Sequence, residues 1–244
     1  MTLRRHGTWL AALAGAATTL AFAPYGLFPL AVLGPALLFL LWDDSTPRQA
    51  ARLGFAWGAG LFFAGTWWIY TAIHDYGGAP AWLAALLLLV PVAVMGSYYA
   101  ILGWLAARFV RRPRLAHCLL LLPGGWTLME WLRGWLLAGF PWLQLGYAHS
   151  DSPLAALAPI GGVHLVTLAS AVTAGALLLI LTGVWRDRGV AFAIIVVIWG
   201  GSWVLSGRQW TTPVGDEISV ALLQGAIPQD EKWQVEHRKE TLDR

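Results

Sequence analysis

Charge is what this sequence has least of. Of its 244 residues only 12% are Asp, Glu, Lys or Arg, while 58% are hydrophobic and the mean hydropathy is +0.61. Soluble globular chains carry about 25% charged residues, so the composition argues against an ordinary soluble domain. Cysteine is nearly absent too, with Cys118 alone. That excludes an internal disulfide and a cysteine-based metal cluster. Between His117 and a leucine run, Cys118 reads as a small buried hydrophobe. No glycine-rich phosphate loop and no metal-ligand spacing occur. A net charge of +3 and a pI near 9.3 could suit nucleic acid. The arginines, however, sit in short loops between apolar blocks and make no basic face, so no nucleic-acid partner is expected.

What the sequence has instead is long uncharged runs and 16 tryptophans. Residues 7–42 carry no charge. As one straight helix they would reach about 54 Å, against about 30 Å of hydrocarbon. Pro24-Tyr25-Gly26-Leu27-Phe28-Pro29 splits the run into two helices joined by an aromatic turn. A rival reading is a cleaved signal peptide, with Arg4 and Arg5 before the run and Ala21-Phe22-Ala23 as its cleavage site. Further spans are expected at 53–73, 81–107, 115–137, from about Pro159 to 185, and at 189–207. The sum is seven transmembrane helices, with 139–151 as an interfacial arm. Gly54 and Gly58 form a GxxxG that lets another helix approach closely.

Charge placement orients the bundle. With the N-terminus cytoplasmic, Arg4, Arg5, Arg48, Arg52, Arg108, Arg111, Arg112, Arg114, Arg186 and Arg188 fall inside, ten of 16 basic residues. The opposite turns hold none, and the tail from Arg208 is placed outside. That tail is rich in charge. Residues 218–223 read as a buried strand, 224–228 as a turn and 233–242 as the start of a helix, too little to bury a core alone.

The segment 129–147 combines ionisable and aromatic residues. Glu130 and Arg133 stand at i,i+3 and can face each other on one helix. Two readings stay open: a structural pair that pins the helix end, or an Arg133 that attracts a lipid phosphate. His164, within an apolar helix, is expected to make an interhelical hydrogen bond. His149, Ser150 and Asp151 match a catalytic triad in composition only and are taken as loop residues.

Glu130-Trp131-Leu132-Arg133-Gly134 and Gly139-Phe140-Pro141-Trp142-Leu143-Gln144-Leu145-Gly146-Tyr147 resemble the apolipoprotein N-acyltransferase family of bacterial inner membranes. So do Leu20-Ala21-Phe22-Ala23-Pro24-Tyr25, Gly54-Phe55-Ala56-Trp57-Gly58 and Leu157-Ala158-Pro159-Ile160-Gly161-Gly162-Val163. Val220-Ala221-Leu222-Leu223-Gln224-Gly225-Ala226-Ile227-Pro228-Gln229 with Lys232-Trp233 is similar to the family's entry into a nitrilase-like domain. The resemblance implies an all-α polytopic membrane domain over 1–207. It implies the first strand-turn-helix of an incomplete periplasmic α/β nitrilase-like domain over 208–244.

It also implies a reaction. An acyl chain passes from a membrane phospholipid to the N-terminal diacylglyceryl-cysteine of a lipoprotein, through a thioester on a Glu-Lys-Cys triad. No residue of these 244 matches that triad, so the catalytic set is expected beyond Arg244 and the chain alone is expected to be inactive. The resemblance puts Trp233 near the mouth of the active site. It makes Glu130, Arg133 and Trp142 part of the wall of a lipid entry. No cofactor and no metal are implied, and a monomer is expected. The alternative from another class is a non-catalytic membrane anchor or scaffold of the same fold. A transporter is disfavoured, because His164 is the sole ionisable residue near the middle of a helix.

Overall fold

The computed structural model describes residues 2–109, 113–136, 139–224 and 226. Among them are seven helices of at least 12 residues: α1 (Thr2–Thr18), α2 (Pro29–Trp42), α3 (Pro47–Gly65), α4 (Ala81–Arg108), α5 (Leu122–Arg133), α6 (Ala158–Thr182) and α7 (Trp185–Ser206). Among the described residues three stretches are long and apolar enough to cross a membrane: Ala81–Arg108, Pro153–Thr182 and Trp185–Ser206. Gly7–Ala21 and Pro29–Trp42 are apolar but shorter.

α3 begins six residues before the uncharged run, and its start is chemically defined. Thr46 and Gln49 form a capping box with Pro47 in the first turn, which satisfies two orphan donors. The small residues of α3 then act as predicted. A Cβ at Gly54 would lie 2.2 Å from the Tyr99 carbonyl oxygen of α4, and one at Gly60 would lie 2.0 Å from the Ala12 oxygen of α1. α3 is thus clasped on two sides by backbone-to-backbone approach. Trp57, Tyr99 and Trp126 meet in its shadow, with ring centroids 4.9–5.1 Å apart.

α5 has an unusual lead-in. A short helix (Arg114–Ala116) passes into a widened π-turn at His117–Leu121 before α5 starts. Pro123 stands in the first turn of α5 and has no N–H to continue the regular ladder backwards. α6 is the central helix. Gly175 lets it touch the lead-in, because a Cβ there would lie 1.9 Å from the Cys118 oxygen. It is kinked at Gly161 and at Gly162, whose φ of 63° and ψ of −165° suit glycine alone. α7 lies outermost, with Ala191 and Ser202 as its buried residues.

The two ends of the bundle differ in kind. At one end Arg114 bonds Asp43 (2.7 Å) and Thr182 (2.6 Å), joining the α2–α3 turn, the entry to α5 and the end of α6. The exposed Arg48, Arg52 and Arg108 fall at the termini that lie at this end. At the other end are aromatic turns: Trp68 with Trp142 (5.6 Å), and Phe28 with His149 and Trp199 (6.0 and 6.1 Å).

Two expectations are corrected. The strand at 218–223 is not formed; these residues run without regular structure, with Leu222 and Leu223 94% and 97% exposed. A strand needs a neighbour for its N–H and C=O groups, and none exists among the described residues. The helix expected at 233–242 lies outside them. The Nδ1 of His164 is buried without the expected hydrogen bond.

Candidate functional site

One face of α5 carries Trp126, Glu130 and Arg133 at i, i+4 and i+7, and all three are buried. The expected contact between Glu130 and Arg133 does not form. No salt bridge joins them, whereas Arg114 and Asp43 do form one at 2.7 Å. Each of the two charged side chains turns instead to the arm that follows α5.

Glu130 collects donors. Its Oε1 accepts from the Trp126 indole N–H and from the Leu145 amide, both at 3.0 Å, and its Oε2 accepts from the Thr167 hydroxyl at 2.8 Å. Thr167 in turn accepts from the Gly146 amide at 3.0 Å. The side-chain amide of Gln144 donates to the Glu130 carbonyl at 3.1 Å. Arg133 serves acceptors. Its Nη1 donates to the Phe140 carbonyl at 2.9 Å and to that of Trp142, and its guanidinium lies 5.0 Å from the centre of the Phe62 ring. The arm is thereby tied to α5 and α6 by its own backbone. Gly146 permits the close approach, since a Cβ would meet the Val163 oxygen at 2.3 Å. Leu143 adopts φ 57°, and its side chain fills the notch left by Gly65 at the end of α3.

A second buried centre holds the far end of the arm. His149 Nδ1 lies 3.0 Å from Ser152 Oγ and Nε2 lies 2.9 Å from Ser170 Oγ. The Ser170 hydroxyl donates onward to the Ala31 carbonyl, so Nε2 carries the hydrogen and Ser152 donates to Nδ1. One neutral tautomer satisfies every group. Burial outside the long helices pushes the imidazole down to about 4. His149 is therefore a structural hub, which reading it as a loop residue missed. Ser150 and Asp151 are exposed and do not converge on it.

Of the predicted site residues, Glu130 and Arg133 lie on one face of α5 and each binds backbone groups of the arm. Trp142 stands on its outer side, 48% exposed, stacked 6.3 Å from Phe140. Trp233 lies outside the described residues. Sequence reasoning missed Thr167, Gln144 and His149. A hydroxyl in an otherwise apolar run was the available signal for Thr167. No group of three or more metal-ligating side chains occurs among the described residues.

Fold and site together define a helical membrane protein whose aromatic end is closed by an arm fixed on buried polar groups. The sequence model for the apolipoprotein N-acyltransferase N-terminal domain matches residues 14–176. The apolipoprotein N-acyltransferase of Pseudomonas putida is 45% identical over 241 residues, covering 95% of this chain and 46% of the relative. That of Chromobacterium violaceum is 44% identical over 233 residues, covering 95% and 45%. The Vibrio parahaemolyticus protein is 41% identical over 234 residues, covering 95% and 46%. This chain belongs to the apolipoprotein N-acyltransferase family. It spans a little under half the length of these relatives.

Proposed function

We propose that the chain is the membrane part of an apolipoprotein N-acyltransferase of the bacterial inner membrane. The reaction moves an acyl chain from a membrane phospholipid to the α-amino group of a lipoprotein's N-terminal diacylglyceryl-cysteine. It proceeds by ping-pong chemistry through a thioester on a Glu-Lys-Cys triad that these 244 residues do not contain. Seven helices cross the membrane with the N-terminus cytoplasmic, and residues 208–244 enter a periplasmic nitrilase-like domain. The observation that carries this reading is the pinned arm at the aromatic end. It offers a fixed rim at headgroup depth, where tryptophan and tyrosine favour the interface.

Within that rim Trp142 presents its exposed face to the acyl donor, and Trp233 stands at the mouth of the active site. Glu130 and Arg133 are positioning residues that hold the arm and so shape the entry. They are sealed from lipid by the backbone groups they bind.

Purified in lipid, the chain is expected to leave a diacylated lipoprotein peptide unchanged in mass. Conversion to the triacylated form would overturn the placing of the chemistry outside it. Alkaline phosphatase fused after Arg244 is expected to be active in cells. An inactive fusion would refute the topology.

A further inference from the structure

A cavity of about 290 Å³ opens at the arginine-rich end, away from the arm. Leu102, Leu105 and Phe109 of the α4 side form one wall, and His117, Leu121 and Gly125 form the other. Its surroundings are exposed and apolar: Ile101, Phe109, Leu120 and Leu128 are each more than half exposed. In a membrane such a surface faces acyl chains.

The wall contains one polar side chain, His117. The widened turn at His117–Leu121 places it there. It is 8% exposed, and its Nδ1 is buried without a hydrogen-bond partner. Nδ1 is sealed from the groove, so Nε2, which has no partner among the described residues and is not sealed, is the ring nitrogen that a ligand in the groove can reach. Arg108 lies exposed on the last turn of α4, next to Phe109. A guanidinium there suits a phosphate at the headgroup level.

We propose that this groove binds one glycerophospholipid of the leaflet at the arginine-rich end. An acyl chain lies along Leu102, Leu105 and Leu121. A glycerol ester carbonyl accepts a hydrogen bond from the His117 ring, and the phosphate meets Arg108. A neutral imidazole supplies the single donor this needs. The site lies at the opposite end from Trp142, so its occupant is not the acyl donor of the proposed reaction. The proposal rests on the membrane reading above and goes beyond it.

The test is photocrosslinking in nanodiscs that contain phosphatidylethanolamine with a diazirine on one acyl chain. Labelled residues are mapped by mass spectrometry. Labels are expected on Leu105 and Phe109 above the level on Phe192 and Val197 of α7, which face outward without a groove. Gly125→Val fills the groove. A Cβ there meets only the movable Leu102 Cδ1 at 2.8 Å, so the fold accommodates it. It is expected to cut groove labelling about fivefold, the equivalent of about 1 kcal/mol, and to leave α7 labelling unchanged. His117→Phe keeps the apolar wall, removes the donor and is expected to act in the same direction.

Groove labels no stronger than those on α7, or unchanged in Gly125→Val, would overturn the proposal. Equal capture of a photoactivatable fatty acid, which has neither ester nor phosphate, would overturn it as well. Absence of label on α7 itself would instead sink the membrane reading.

Discussion

Replacing Glu130 with alanine removes the acceptor of three buried donors: the Trp126 indole, the Thr167 hydroxyl and the Leu145 amide. Glu130 is fully buried, so bulk water cannot take its place. Each buried donor left unpaired costs about 1–3 kcal/mol. For the Leu145 amide this means local opening about fivefold to 150-fold more often. Gly146 should follow, because Thr167, its acceptor, loses its own anchor on Glu130. Glu130→Gln is milder. Its oxygen can still serve Trp126 and Leu145, while its NH₂ faces a Thr167 hydroxyl able to accept. Hydrogen–deuterium exchange on the protein in nanodiscs reads both variants. Peptides covering 143–148 are expected to exchange faster in the order wild type, Gln, Ala. Peptides covering 171–178 in the core of α6 should not change. Wild-type exchange at 143–148 in Glu130→Ala would refute the pinning role. An equal rise at 171–178 would show general unfolding and refute it too.

Gly146→Ala sets a Cβ 2.3 Å from the Val163 oxygen, a backbone atom with no room to yield. It should destabilise by about 1–3 kcal/mol and lower the melting temperature, whereas Gly124→Ala, with nothing within 4 Å, should not. His149 has its pKa lowered from 6.5 to about 4. The unfolded chain then binds more protons between those values. The stability it contributes is complete above about pH 6.5 and is lost progressively toward pH 4, a change of about 3 kcal/mol. Melting curves at pH 7.5, 5.5 and 4.5 should show this slope, and His149→Gln should flatten it. Asp43→Asn weakens the tie between the α2–α3 turn and Arg114. The pair is partly exposed, so the loss should stay within about 1 kcal/mol in a thermal melt.

Three of the seven expected spans are matched by helices long and apolar enough to cross a membrane, because long uncharged runs are a strong signal, and the small residues of α3 were legible as packing contacts. Its start was not. Arg48 and Arg52 looked like loop residues, yet the capping box at Thr46 and Gln49 places both on the helix's first turns. The spacing of Glu130 and Arg133 correctly put them on one face. It could not show that arm backbone groups compete for both and keep them apart. His149 was hidden for a related reason. Its partners, Ser152 and Ser170, lie 3 and 21 residues away, so the neighbouring Ser150 and Asp151 gave a misleading pattern. The apolar stretch at 218–223 suggested a buried strand that no described neighbour supports.

Why an arm in an apolar protein should rest on two buried ionisable side chains follows from its backbone. Between α5 and α6 much of the chain is irregular, and the short 3₁₀ turn at Leu145–His149 leaves its first amides without partners of its own. Buried within protein, each unpaired group is expensive, and irregular backbone persists there only where other protein groups satisfy it. Glu130 and Thr167 are acceptors and meet the amides of Leu145 and Gly146. Arg133 is donor only and meets the carbonyls of Phe140 and Trp142. The acid is matched to surplus donors and the base to surplus acceptors, one helical turn apart. Apolar residues could fill the same volume, but they could satisfy none of these groups. The arm would then have to coil into helix or drift toward water. In either case Trp142 would leave the position from which it is proposed to meet the lipid.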